Sequence, residues 1–415
     1  MKLNQWTLAL AATGVVSLAS AVNAEEAKQQ VMTALSSTTL SGYVDTSAIW
    51  KMGTGNGLVG RSYDGTAKQD GFNLNVVKLS LEKPVDEGNW SAGYKTDLLI
   101  GPDAAAFRGT SPFADGSSLS IKQAYVALRA PVGNGVDIKM GVFDTVVGYE
   151  VFDSGNNPNY SRSYGYFIEP LSHTGVLLSY QAADWIGFSA GIANTYNDAF
   201  INGRAARASA TPTAESEKAY MASVTLKAPE SLGVLKDATL TAGIVDGLAG
   251  GKTDTTILYA GLTLPTGMDS LKLGAAYDYR FTSSHGGVAG GPGNTFIGGN
   301  DSTYAWAGSL YASFKATEKL TLNTRAEYAT GTDGTWYLVS PVGDFAPTGN
   351  DDTRNELFGI TFTADYALWA NVVTRAEFRW DSAIAGGDNA TSKPFGGFNP
   401  DKNALSLALN VIYKF

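Results

Sequence analysis

Cysteine is absent from the 415 residues, so the chain has no disulfide, no thiolate nucleophile and no thiol-ligated metal. Histidine is nearly absent too. Its two copies, His173 and His285, lie far apart without a cysteine to help them, so neither a zinc site nor any cofactor is expected. Past residue 24 there is no long apolar run, and no segment approaches a membrane-spanning helix. Charge is sparse, at 17% of residues, and its balance is acidic: −9 overall and −10 without Lys2, which argues against nucleic-acid binding. Glycine (48), tyrosine (20) and phenylalanine (18) are abundant instead.

The two ends of the chain carry separate signals. Met1 and Lys2 precede an uncharged, mostly apolar stretch from Trp6 to Ala21, then Val22-Asn23-Ala24 and two glutamates. A positive start, a short apolar core and a small-residue cleavage site predict a secretory signal peptide over 1–24. The segment 25–37 is expected in the periplasm, either as a short helix bracing a larger body or as a frayed lead-in. At the other end Leu405, Leu407, Leu409, Val411, Tyr413 and Phe415 are apolar at every second position. That alternation predicts a strand with one greasy face. Its aromatic finish resembles the terminal strand by which outer-membrane barrels are recognised for assembly, with Tyr413 and Phe415 as the signal.

The same alternation recurs along the chain. Leu271, Leu273, Ala275, Tyr277, Tyr279 and Phe281 oppose Lys272, Gly274, Ala276, Asp278 and Arg280. Successive strand residues point to opposite faces, so such a segment builds one lipid-compatible wall and one wet wall. Strands are expected near 39–50, 73–83, 88–100, 118–130, 135–143, 173–182, 185–195, 218–228, 238–247, 254–264, 270–282, 303–315, 319–330, 355–366, 368–380 and 403–415. The fourth is ambiguous, because Lys122 and Arg129 cannot both face inward in one unbroken strand. Links alternate between short (84–87, 131–134, 183–184, 265–269, 316–318) and long (51–72, 101–117, 144–172, 196–217, 283–302, 331–354, 381–402). Two links weaken the rule: 229–236 is longish for a turn and 248–252 is short for a loop. Short periplasmic turns and long outer loops are the habit of outer-membrane barrels. Trp90, Trp185 and Trp369 fall beside short turns and Trp50 and Trp380 at the opposite strand ends, as two interfacial girdles would require. The prediction is an all-β, antiparallel, up-and-down transmembrane barrel over 38–415, with about sixteen strands (fourteen to eighteen) by the even-number rule.

The longest link, 144–172, is unusual in mixing aromatics with Glu150, Asp153, Arg162 and Glu169. Gly141-Val-Phe-Asp-Thr145 leads into Gly148-Tyr-Glu150, followed by Asn159-Tyr-Ser-Arg-Ser163, Glu169-Pro170 and His173-Thr-Gly175. Here the sequence resembles the OmpL-like family of β-barrel porins. The resemblance implies an outer-membrane channel for passive diffusion of small hydrophilic solutes or ions, and it brings no catalytic residues. It leaves the solute open.

On that reading the link folds inward and Glu150, Asp153, Arg162 and Glu169 form a pore constriction; the alternative is a cap whose charges pair among neighbouring loops. Strand facing assigns Lys78, Lys95, Asp97, Lys139, Asp278, Arg280, Arg325, Glu327, Arg375, Glu377 and Arg379 to the pore lining. Expected partners are outer-membrane lipids, the barrel assembly machinery and the solutes themselves; a homotrimer is left open. A lipase-like barrel enzyme is the rival class, along with a closed structural or adhesive barrel. The lipase reading would need a Ser–His pair near the outer rim, and neither Ser172 nor Thr174 can share a strand face with His173. Gly55-Asn-Gly57-Leu-Val-Gly60 matches a dinucleotide fingerprint, but no amphipathic helix follows it.

Overall fold

The computed structural model describes residues 37–52, 68–87, 90–110, 118–197, 201–203, 217–249, 253–283, 303–331, 355–384, 395 and 401–415. The expected signal peptide, nearly all of the 25–37 segment and the 55–60 glycine motif lie outside them.

Sixteen strands close on themselves. They are β1 (Thr39–Met52), β2 (Gly71–Lys83), β3 (Ser91–Ile100), β4 (Leu119–Ala130), β5 (Val136–Asp144), β6 (Ser172–Ala183), β7 (Ile186–Ala193) and β8 (Ala219–Lys227). The second half adds β9 (Thr239–Ala249), β10 (Thr253–Pro265), β11 (Leu271–Ser283), β12 (Thr303–Lys315), β13 (Leu320–Gly331), β14 (Asn355–Trp369), β15 (Val372–Ala383) and β16 (Asn403–Lys414). Each pairs antiparallel with its sequence neighbours, and β16 returns to β1, with Tyr43 opposite Lys414 and Met52 opposite Leu405. Closure pairs every strand edge, which a sheet surrounded by hydrocarbon requires. The seam is finished by Phe415, whose backbone exchanges bonds of 2.9 and 3.0 Å with Gly42. A side chain at position 42 would run into the Phe415 ring. Tyr413 and Phe415 stack at 6.5 Å on the outer face.

The alternation reads inside out. On β11 Tyr277 is 45% exposed while its neighbour Asp278 is 2% exposed. Placing a charge on the lipid face near the bilayer midplane costs about 2–4 kcal/mol for Arg or Lys, so the charged set points to the lumen. Trp90, Trp185 and Trp369 are exposed beside the short-link ends. At the other ends Trp50 meets Phe72 edge-on at 6.2 Å and Trp380 meets Phe358 at 5.9 Å.

Bulges account for what simple alternation misses. Between β3 and β4 the register runs Asp97–Gln123 and then Leu98–Ile121, so Lys122 is an extra residue. An inserted residue re-aims its neighbours, and Lys122 and Gln123 are both buried. The bulge thereby lets Lys122 and Arg129 face the lumen from one strand. Asn75 is the equivalent extra residue opposite β1, between the Asp45–Val76 and Thr46–Leu74 pairs. At the β14–β15 turn the expected boundaries shift: β14 runs on to Trp369 and β15 begins at Val372, with Asn371 turning the chain at φ 66°. Ala370 therefore belongs to the turn.

Candidate functional site

The stretch 145–171 leaves β5 and turns into the barrel instead of away from it. It contains a single-turn helix, α1 (Tyr164–Ile168), capped by the Ser163 side chain. Loop backbone groups must find partners wherever water is excluded, and here the barrel wall supplies them. Arg325 of β13 donates to the carbonyls of Ser161 (3.0 Å) and Arg162 (3.1 Å). From β15, Arg379 donates to the Arg162 carbonyl at 2.6 Å, and Arg375 to those of Ser154 (2.6 Å) and Asn157 (2.9 Å). Carboxylates on the same wall take the opposite role. Glu377 accepts the amides of Tyr160 (2.6 Å) and Ser161 (2.9 Å), and Glu327 accepts that of Tyr164 (2.6 Å). These are charge-assisted bonds, about twice as strong as neutral ones. Wall charges thus grip the loop by its backbone.

The four residues expected at a constriction divide into different roles. Glu150 accepts from Arg325 (3.0 Å), Tyr311 (3.0 Å) and the Ser163 amide (2.9 Å). Asp153 reaches further round the same arc of wall, accepting from Tyr43 of β1 (2.8 Å) and from Lys78 of β2 at 3.0 Å to each oxygen. Burial alone would raise the Asp153 carboxyl, but the Lys78 ammonium and its bonds hold it well below the usual carboxylate range. Glu169 meets Asp278 of β11; burial, then the neighbouring carboxylate, push it well above the ordinary glutamate range. Arg162 departs from the expectation of a pore-facing charge. It is fully buried and donates to the carbonyls of Tyr160 (2.7 Å), Phe152 (2.8 Å) and Val151 (3.1 Å). Its donors face back into the loop that carries it.

All the expected lining residues other than Lys139 are buried in the lumen, and Lys139 is half-buried. Lys78 also bridges to Asp97 (3.2 Å), Lys95 to Glu82 (3.3 Å), and Arg379 to Asp381 (2.8 Å) and Glu327 (3.3 Å). The Arg280 guanidinium lies 5.4 Å from the centre of the Tyr196 ring. Sequence reasoning missed Asp381, because the expected strand ended at 380 and β15 runs on to Ala383, although Asp381 sits two positions from Arg379 on the same face. It also missed Tyr311, Tyr43 and the ion pair between Lys122 and Asp144. Alternation alone does not say whether a tyrosine faces lipid or lumen. A small pocket between the loop and β4–β5 is bordered by Phe107, Lys122, Asp144, Glu150, Phe152 and Glu169.

His173 bonds Thr145 at 3.0 Å and is buried inside the barrel. That is the opposite face from the one on which a lipase pair would meet lipid.

The comparisons with known proteins agree with this architecture. A search of curated proteins finds no match. Among solved structures, the anion-selective porin of Comamonas acidovorans superposes with a TM-score of 0.57 at 13% identity, covering 91% of this chain and 99% of that one. The outer membrane channel DcaP of Acinetobacter baumannii gives 0.55 at 15% identity, covering 91% and 97%. The trimer form of OmpT, an outer membrane protein of Vibrio cholerae, gives 0.54 at 12% identity, covering 91% and 99%. At such identities the likeness is one of fold. The family model described as "Putative beta-barrel porin-2, OmpL-like" matches residues 37–415, and the chain belongs to that family: it is an outer-membrane porin, a barrel for passive diffusion.

Proposed function

We propose that the solutes are small hydrophilic molecules and ions, and that the loop 145–171 sets the width of their path. The observation that carries this reading is the anchoring of a loop that leaves β5 to the arc of wall running from β2 through β1 and β16 to β13. Arg325, Arg375 and Arg379 hold it from β13 and β15, and Lys78 and Tyr43 hold it from β2 and β1. A loop that springs from β5 and is tied at β13, eight strands away in the closed order, crosses and narrows a lumen that sixteen strands would otherwise leave wide. The passage then runs past β4 and β5, where the pocket beside Lys122 and Asp144 lies. Glu150, Asp153 and Glu169 shape the constriction by fixing the loop, with Arg162 as its internal brace. The barrel is further read as one subunit of a homotrimer, as in the trimer form of the Vibrio cholerae protein.

Single-channel recording of the purified, refolded barrel in a planar bilayer tests the pore directly. Stepwise, ohmic openings are the expected result, with steps grouped in threes where trimers insert. Repeated insertion without current would overturn the reading in favour of a closed structural barrel.

A further inference from the structure

Lumen charges on β2–β5 fall into pairs, with one cation left over. Lys95 is matched to Glu82 at 3.3 Å, Arg129 to Asp137 at 3.0 Å and Lys122 to Asp144. Lys139 stands among these groups: Lys95, Asp144, Glu82 and Asp137 are the charges that act on it. Every one of those carboxylates is already committed to another base. Among the described residues Lys139 has neither a hydrogen bond nor an ion pair; its ammonium rests 4.9 Å from the centre of the Tyr125 ring. A cation over an aromatic face keeps part of its attraction while leaving its three N–H donors unspent.

The position is defined by the sheet. Lys139 lies opposite Ala127 on β4 and opposite Leu177 on β6, and Lys95 lies opposite Tyr125. Tyr125 is held close by Gly141, the residue opposite it, which at φ 138° has no room for a side chain against the Tyr125 backbone. The result is an ammonium flanked by an aromatic ring, an alanine and a leucine. It sits three residues in from the short link 131–135, between that mouth and the loop.

We propose that Lys139 and Tyr125 form a solute subsite for the carboxylate of a small organic acid. The ammonium binds the anionic oxygens, and the Tyr125 ring and Leu177 cover the acid's apolar part. A solute with anionic oxygens supplies the partner that the wall withholds, and a planar or branched apolar body excludes water from the pair, which strengthens it. Acids without an apolar part hold the ammonium but forgo the ring. The inference rests on the pore reading, and its tests separate the two.

The first test compares wild type, Lys139→Gln and Lys139→Arg, each shown to be folded by its heat-modifiable gel migration. In a potassium chloride gradient Lys139→Gln lowers the anion-to-cation permeability ratio by about twofold or more, because one fixed charge is lost from a narrow wall. Lys139→Arg stays near wild type. Benzoate interrupts the wild-type current in a saturable way at concentrations where acetate is weaker, and loses that effect in Lys139→Gln. An unchanged ratio with benzoate block intact would overturn the subsite while leaving the pore standing. The second test needs no current. Equilibrium dialysis of benzoate against the detergent-solubilised barrel gives saturable binding that Lys139→Gln abolishes and that Tyr125→Leu weakens. Equal binding by all variants, or none by wild type, would refute it even for a barrel that does not conduct.

Discussion

Arg325 and Glu150 are 175 residues apart in sequence and 3.0 Å apart in space, and neither side chain is exposed to solvent. All of the Arg325 donor groups are engaged, by Glu327, Glu150, Thr361 and the backbone and hydroxyl of the 161–162 stretch. A buried ion pair is sustained only when its remaining donors and acceptors are also satisfied. This pair is therefore a lock between loop and wall.

Removing one partner should open the lock. Arg325→Met leaves Glu150 buried without its cation, at a cost of about 3–5 kcal/mol for the docked loop, and Glu150→Gln costs less because Arg325 keeps Glu327. The expected trace has larger and noisier openings, with the barrel still folded. The double variant should be quieter than Arg325→Met alone, since Glu150 is no longer a lone charge and Glu327 keeps Arg379. Single variants indistinguishable from wild type would show that the lock does not hold the loop.

Arg162 gives a different expectation because its guanidinium is turned into the loop. Arg162→Gln forfeits several charge-assisted bonds, each worth about 1.5–3 kcal/mol, so loop-closure noise should rise. Its fixed charge is remote from the passage, so the reversal potential in a salt gradient should stay where it was. A shift in ion preference as large as that of Lys139→Gln would put Arg162 on the pathway after all.

The strands were legible because lipid imposes a strict rule on them. Tyr277 or Leu273 outside and Asp278 or Arg280 inside is a pattern two residues long, readable anywhere along the chain. What the rule cannot reach is an extra residue. Lys122 and Arg129 looked incompatible until the bulge at Lys122 supplied the missing step. The loop is harder still. Glu150, Asp153 and Glu169 stood out as charges in an aromatic link, but their partners Arg325, Lys78 and Asp278 lie on distant strands. Arg162 was misread for the same reason: nothing in local sequence separates an arginine that binds its own loop's carbonyls from one that lines water.

Acid and base should act on the two anchors in opposite directions. The Glu169 carboxyl is raised in the docked loop, so docking binds a proton more readily than the free loop does. Its contribution is complete below the ordinary glutamate pKa and is lost as pH rises through the elevated value. The Asp153 carboxyl is lowered, so its contribution is present above the ordinary aspartate pKa and fades only as pH falls below it. Between these limits, alkalinisation should loosen the Glu169 end while the Asp153–Lys78 anchor holds. Recording loop-closure noise from pH 5 to 9 tests this. Noise should climb with pH in wild type and stay flat in the double variant Glu169→Gln/Asp278→Asn, which removes both carboxyls of the pair. A parallel climb in the variant would assign the effect elsewhere.

Gly148 offers a way to displace the loop without touching a charge. Its φ is 115°, outside the region a side chain favours, and a Cβ there would collide with Oε2 of Glu169. The end of a free glutamate could swing aside, but this one is confined against Asp278. Gly148→Ala therefore carries both backbone strain, about 1–3 kcal/mol, and a steric clash. Trimming the neighbour separates the two, because Glu169→Ala in the Gly148→Ala background relieves the clash and leaves the strain. Conductance should be raised in Gly148→Ala, and loop noise in the double variant should include the lost Glu169 contact as well. Barrel melting, followed by gel migration, should be nearly unchanged in both, since no strand pairing involves residue 148. A large drop in melting temperature would mean that the loop helps hold the barrel closed, rather than being held by it.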